Sequence, residues 1–214
     1  MKKEELEQLR QEYSKHSLDE KEVDKNPFNQ FEKWLAEALR LLVPEPNAMT
    51  LSTADSQNRP HSRIVLLKGY TDQGFIFFTN YASDKGRELE QNPYAALCFF
   101  WIELERQVRI EGAVEKISQP ESERYFQSRP YMSQIGALAS NQSEVVESRE
   151  ALEKKFSELT EKYPEEKVEM PETWGGYLVK PSAFEFWQGR QSRLHDRIKY
   201  TKKNENWNIE RLSP

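Results

Sequence analysis

The stretch QGRQSRLHDRIKY, Gln188 to Tyr200, gathers more proton-carrying and cationic side chains than any core segment needs. If it is extended, its period of two sets Arg193, His195 and Arg197 on one face and Leu194, Asp196 and Ile198 on the other. Surface strands do alternate charge. A face of Arg, His and Arg just after Trp187 is nevertheless unusual without an anion or an electron-rich ring against it. Arginine suits planar, bidentate recognition of phosphate or carboxylate, and histidine can donate, accept or move a proton near neutral pH.

Three further clusters could join that chemistry. In RIVLLK, Arg63 and Lys68 bracket Ile64, Val65, Leu66 and Leu67; by itself this reads as a core strand with charged ends. In FFTN followed by SDKG, Thr79, Ser83 and Lys85 fall at a strand-to-helix junction. Free amides and a lysine there can receive a phosphate, and Ser83 serves equally well as a plain helix cap. In RYFQSRPYMSQIG, Tyr125, Arg129 and Ser133 recur every four residues. On helix and helix entry that spacing aligns them toward one anion, although solvated helix surface explains the spacing as readily.

Other chemistry is disfavoured. The three histidines and single cysteine, Cys98, provide no zinc or iron-cluster spacing, so no metal site is expected. G-x-x-x-x-G-K-[ST], G-x-G-x-x-G and G-x-S-x-G do not occur, so a phosphate must be held chiefly by side chains. Ser192, His195 and Asp196 contain the letters of a hydrolytic triad, but on a strand His195 and Asp196 point apart. A net charge of -5 does not suit a nucleic-acid binder. The charged N-terminus, a lone cysteine, and the lack of an apolar run near the roughly 20 residues of a membrane helix predict a cytoplasmic protein with no membrane partner.

The elements that must position these residues follow from periodicity. Residues 1 to 15 read as a short polar helix and residues 16 to 25 as a charged connector, making 1–25 an N-terminal segment that a ligand can order. NPFNQFEKWLAEALRLLV is an amphipathic helix with Asn26 as cap and Pro27 in the first turn. AMTLSTAD, HSRIVLLKGY and GFIFFTN read as strands, and YAALCFFWIELERQVRIEGAVEKIS as one long β stretch. Helices are expected near residues 83–92, 119–130, 132–140 and 148–163. TWGGYLVKPSAFEFWQG and RLHDRIKYTKKNENWNIERL close the chain as strands or hairpins. Together these predict a mainly β, α+β fold, an antiparallel barrel with helical additions, in a single domain over 26–214.

In this order, LRQEY, NPFNQFEKWL, RIVLLK, FFTN, LERQV, YFQSRP, SQIGA, NQS, WGG, EFWQG, RLHDR and WNIERLSP resemble the pyridoxine (pyridoxamine) 5′-phosphate oxidase family over nearly the whole chain. Each string alone is weak, and their register together is specific. The resemblance implies an FMN-binding split β-barrel that works as a homodimer with FMN at the subunit interface. It also implies oxidation of pyridoxine or pyridoxamine 5′-phosphate at the 4′ carbon, with hydride passing to the flavin and O2 reduced to hydrogen peroxide. Flavin contacts carried over are Arg63, Ile64, Val65, Leu66, Leu67, Lys68, Phe78, Thr79, Lys85, Gln107, Gln142, Ser143, Trp187 and Arg197. Tyr125, Arg129 and Ser133 look like the clamp on the substrate phosphate, with Lys68 reaching the substrate. Arg193 and His195, as catalytic residues, would face the pyridine ring beside Leu194, and Arg10, Gln11, Glu12 and Tyr13 would close over it. Asp84 departs from the family, which often has an arginine there, and Phe78 replaces a common tyrosine.

Overall fold

The computed structural model describes residues 12–163 and 168–214. Among the described residues the regular elements are nine strands and five α-helices. The strands are β1 (Ala48–Ala54), β2 (Pro60–Leu66), β3 (Gly69–Thr71), β4 (Gly74–Asn80), β5 (Tyr94–Trp101), β6 (Arg106–Lys116), β7 (Trp174–Gln188), β8 (Asp196–Lys203) and β9 (Asn206–Arg211). The helices are α1 (Pro27–Arg40), α2 (Asp84–Gln91), α3 (Gln119–Ser128), α4 (Tyr131–Ala139) and α5 (Arg149–Lys162). Hydrogen bonding orders the strands β2-β1-β5-β6-β7-β4-β3, with β8 on β7 and β9 on β8.

Contacts gather into two compact units. A terminal unit draws on Met1–Thr50, Leu97–Glu111 and Pro181–Pro214; a middle unit comprises Leu51–Ala96 and Gly112–Lys180. In the middle unit, β4 pairs antiparallel with the first half of β7, Phe75 opposite Val179 and Phe77 opposite Tyr177, and all four are buried. A second apolar cluster forms where Phe126 of α3 and Ile135 of α4 meet Val168 and Trp174.

In the terminal unit, α1 starts as the sequence predicts. The Asn26 side chain accepts from the Phe28 amide, and Pro27 occupies the first turn, where no amide is missed. Its buried stripe of Phe28, Phe31 and Trp34 packs on aromatic rings: Phe31 on Phe99 at 5.1 Å, Trp34 on Phe186 at 5.3 Å, and Phe28 on Phe184 at 5.2 Å. The second half of β7 pairs antiparallel with β8 from Ala183 opposite Thr201 to Gln188 opposite Asp196.

That last register corrects the expected Arg193, His195 and Arg197 face. With Gln188 opposite Asp196, residues 189–195 must reverse the chain. They do so through a 3-10 turn, Gln191–Arg193, with Ser192 and Arg193 in the left-handed region at φ 56° and 61°. Arg193 and His195 therefore sit on a hairpin loop, and only Arg197 lies on the strand. The long β stretch expected from residue 94 to 118 is likewise broken, at the 3-10 turn Ile102–Leu104 and a left-handed Glu105. The segment from TWGG to WQG forms one 15-residue strand.

Candidate active site

The middle unit carries a cavity of about 970 Å³ whose charged wall is made by Arg63, Lys68, Lys85 and Arg129, against Asp84. It gathers residues from β2, β4, α2, α3, α4 and the loop after α4. Of the sequence candidates, Ile64, Val65, Leu66, Phe78, Thr79, Tyr125, Ser133, Gln142 and Ser143 also line it. Leu67 does not: it lies just past the end of β2 and is buried in the core, at 5% exposure.

Besides exposed Lys68, two more sheltered cations in this wall lack a negative partner. Lys85, in the first turn of α2, is buried, and its Nζ lies 3.2 Å from each of three neutral acceptors, Thr79 Oγ1, Ser83 Oγ and Gln142 Oε1. Burial, with nearby Arg63, pushes its pKa below the usual lysine range, while Asp84 and Glu88 pull the other way. Ser83 also caps α2, accepting from the Gly86 amide at 3.4 Å, so the two readings of this junction hold together.

Arg129 is the second. Its guanidinium lies 4.8 Å over the Trp174 ring, and its Nη1 is a buried donor with no hydrogen-bond partner. Desolvation depresses its pKa. A buried guanidinium donor without an acceptor is costly, and the natural remedy is an anion delivered by a ligand. Tyr125 lies on α3 and Ser133 in the first turn of α4, the expected helix and helix entry, while Arg129 falls between the two helices. Helix α3 ends at Ser128, Arg129 is its extended cap, and Pro130 separates it from α4. The kink still brings all three to one wall. Phe78, Tyr125 and Trp174 stack, Phe78 lying 3.9 Å from Tyr125 and 5.4 Å from Trp174.

Arg63 is engaged differently. It donates to the Glu88 carboxylate at 3.1 Å and to Thr53 Oγ1, and Glu88 also meets His61 Nδ1 at 2.6 Å. Burial raises the Glu88 pKa, but the hydrogen bonds from Thr53 and Arg63 outweigh it and hold the carboxyl below its usual range. Asp84 pairs with Arg87 at 2.5 Å.

The terminal unit holds the second group of candidates. His195 Nδ1 accepts from the Arg190 amide at 3.1 Å, and its ring lies 4.7 Å from Trp187 and 6.0 Å from Tyr13. Burial, with help from Arg193, lowers its pKa against a smaller pull from Asp196. The neutral ring, with Nδ1 accepting, carries its proton on Nε2. Arg193 and Leu194 are exposed, and Gln107 is half-buried on β6.

Arg197 is held by an acidic partner. It donates to both carboxylate oxygens of buried Glu185, at 2.8 and 3.1 Å, and to the Ser213 carbonyl at 2.8 Å. The Glu185 hydrogen bonds raise its pKa. Tyr13 packs edge-on against Trp187 at 5.7 Å. Glu12 is exposed, and Arg10 and Gln11 lie outside the described residues.

The 1–25 segment is well tied down where it is described. Leu18 donates to Asp196 at 3.0 Å, Arg211 grips Glu20 and the Leu18 carbonyl, and Tyr200 Oη donates to the Asp24 carbonyl at 2.7 Å. Sequence reasoning missed Trp174, Asn80, Gly136 and Ser140 in the cavity wall, and the acidic partners Glu88, Glu105 and Glu185. WGG marked the place of Trp174 but not its role, and the carboxylates are distant in sequence from the groups they hold.

Residues 35–163 match the family described as pyridoxamine 5′-phosphate oxidase, and residues 174–214 match the pyridoxine 5′-phosphate oxidase C-terminal dimerisation region. A pyridoxine/pyridoxamine 5′-phosphate oxidase of Paraburkholderia phytofirmans is 56% identical over 98% of this chain and 99% of its own. One of Nostoc sp. is 56% identical over 96% and 97%. Among solved structures, PhzG from Burkholderia lata, in complex with tetrahydrophenazine-1-carboxylic acid, aligns with a TM-score of 0.88 at 30% identity, covering 94% of this chain and all of that one. A pyridoxamine 5′-phosphate oxidase-related, FMN-binding protein of Nostoc punctiforme shares the fold, with a TM-score of 0.70 at 20% identity over 88% and 97%. No helix among the described residues is long and apolar enough to cross a membrane. With its antiparallel split-barrel sheet and near full-length identity to these relatives, the chain belongs to the pyridoxine/pyridoxamine 5′-phosphate oxidase family of oxidoreductases.

Proposed function

We propose that the protein oxidises pyridoxine 5′-phosphate or pyridoxamine 5′-phosphate to pyridoxal 5′-phosphate, using FMN and O2, as a cytoplasmic homodimer. The observation that carries the reading is the unpartnered, buried Nη1 of Arg129 in a cavity whose other buried cation, Lys85, has only neutral partners. Two sheltered cations without a carboxylate partner in one cavity fit two phosphates, one from the cofactor and one from the substrate.

Lys85, with Thr79 and Gln142, would hold the cofactor phosphate, while Ile64, Val65 and Leu66 give the ring an apolar wall beside Lys68. Arg129, with Tyr125 and Ser133, would take the substrate phosphate. Bound FMN would supply a hydride acceptor for the substrate's 4′ carbon, with O2 as final oxidant reduced to hydrogen peroxide; from the amine substrate, hydrolysis of the resulting imine by water would release ammonia. The residues' own task is orientation, because hydride transfer needs the donor carbon at near-attack distance.

His195 would present Nε2–H to the pyridine ring, its tautomer fixed by the Arg190 amide. Arg193 would supply a positive charge beside the reacting ring, and Tyr13 would cover it. His195 and Arg193 lie in the stretch matching a dimerisation region, and most of the cavity lies in the other match. That division supports a site completed by a second copy of the chain. Cys98, whose thiol is pushed up by burial, fits a reducing compartment.

The similarity to PhzG favours one rival, a tricyclic carboxylate with its acid group on Arg129. Oxygen uptake by the purified protein decides between them. Uptake with either B6 phosphate, and none with tetrahydrophenazine-1-carboxylic acid, is expected. The reverse pattern would overturn the proposal.

A further inference from the structure

We infer that Glu105 is a positioning residue: its carboxylate clasps the chain just after Tyr13 and so sets the Tyr13 ring against Trp187 and His195. The inference rests on the reading above, in which Tyr13 and His195 border the substrate.

Glu105 ends the 3-10 turn Ile102–Leu104 in the left-handed conformation, φ 54° and ψ 40°, which a residue with a long side chain adopts only when its surroundings enforce it. The surroundings do so. Its amide donates to the Ile102 carbonyl at 3.1 Å, and its carbonyl accepts from the Gly189 amide at 2.8 Å and Gln188 Nε2 at 3.2 Å. With the backbone fixed on both sides, the buried side chain reaches the N-terminal arm. There a single oxygen, Oε2, accepts from two successive amides, Ser14 at 2.9 Å and Lys15 at 3.0 Å.

Adjacent amides converging on one carboxylate oxygen form a charge-assisted pair stronger than neutral hydrogen bonds. Lys15 Nζ adds a bond to the Glu103 carbonyl at 2.6 Å. The residue before this clasp is Tyr13, which lies in a notch made by Gly189: a Cβ at 189 would stand 2.7 Å from Tyr13 Cγ. Notch and clasp together leave the ring one place, 5.7 Å from Trp187 and 6.0 Å from His195. The arm has a separate anchor at Leu18, held by Asp196, so loss of Glu105 releases residues 13–15 without detaching the rest.

The test compares wild type, Glu105→Gln and Gly189→Ala as full-length holoenzymes of matched FMN content. Two readouts are taken: amide hydrogen exchange at Ser14 and Lys15, and KM against kcat for pyridoxine 5′-phosphate. Glu105→Gln should speed exchange at both amides, and raise KM, by about tenfold each, the scale of a lost charged acceptor, with kcat moved less than twofold. Gly189→Ala should raise KM similarly while the two amides stay protected, because it evicts the ring and leaves the clasp. Unchanged exchange in Glu105→Gln would overturn the clasp. Faster exchange with an unchanged KM would overturn its positioning role. If wild type took up no oxygen with either B6 phosphate, the function would fall, while the exchange data would still decide whether Glu105 holds the arm.

Discussion

The two units treat positive charge in opposite ways. In the middle unit, only Arg63 of the sheltered cavity cations has a carboxylate, Glu88, while Lys85 is buried among neutral acceptors and Arg129 keeps a buried donor without a partner. In the terminal unit, the buried or half-buried arginines are matched: Arg106 to Glu37 at 2.5 Å, Arg197 and Arg109 to Glu185, and Arg190 to Asp196, which exposed Arg211 also meets. Matched charges fix structure, since removing one partner strands the other, whereas unmatched charges leave the site to be completed by what binds. The terminal unit thus reads as a frame that sets rings and a histidine in place, and the middle unit as a receptor for anions.

Substitutions can break this contrast, beginning with the largest effect. Arg106→Met should cost about 3–5 kcal/mol of stability in urea unfolding, because Glu37 loses its partner in a partly buried setting where Arg106 also lies 4.5 Å over Trp34. A loss below about 1 kcal/mol, the range of an exposed pair, would show that the charge is not structural. Arg193→Leu should lower kcat by about 100-fold, the scale of a lost electrostatic donor, with FMN content unchanged. A normal kcat would remove Arg193 from the chemistry.

Arg129→Met should behave in reverse to Arg106→Met. Without ligand it should melt no lower than wild type, since an unsatisfied buried donor is gone, and KM for the phosphorylated substrate should rise by about tenfold or more. A clear drop in melting temperature with KM unchanged would make Arg129 a structural arginine like its counterparts in the terminal unit.

The smallest effect concerns pH. Burial holds the His195 pKa below its ordinary 6.5, so the folded protein binds fewer protons there than the unfolded chain. Its contribution is complete above pH 6.5 and is lost as pH falls from 6.5 toward the lower folded value. The acid limb of kcat/KM should lie below pH 6.5 and change in His195→Asn. A limb that stays in place in His195→Asn would assign it elsewhere.

Much of this arrangement was legible from residues alone. The spacing of Phe28, Phe31 and Trp34 behind Asn26 and Pro27 predicted α1 with its cap, and the aromatic and β-branched runs predicted β1, β2 and β4, because each pattern has one way to bury itself. Nearly all the cavity residues named from the family resemblance face one space. The reversal at Ser192 and Arg193 was not legible, because left-handed residues there are neither glycine nor asparagine, and only the β7 to β8 register demands them. The counter-charges were hidden for another reason. Glu105 meets Ser14 from 91 positions away, and nothing local marks such a partner.

The aromatic stack offers a practical dividend. Of the five tryptophans, Trp34, Trp101, Trp187 and Trp207 belong to the terminal unit, leaving Trp174 alone in the middle one, beneath the Arg129 guanidinium. Replacing those four with phenylalanine would leave a single intrinsic fluorophore at the cavity wall, whose emission tracks the arrival of a phosphate ester optically and without any turnover.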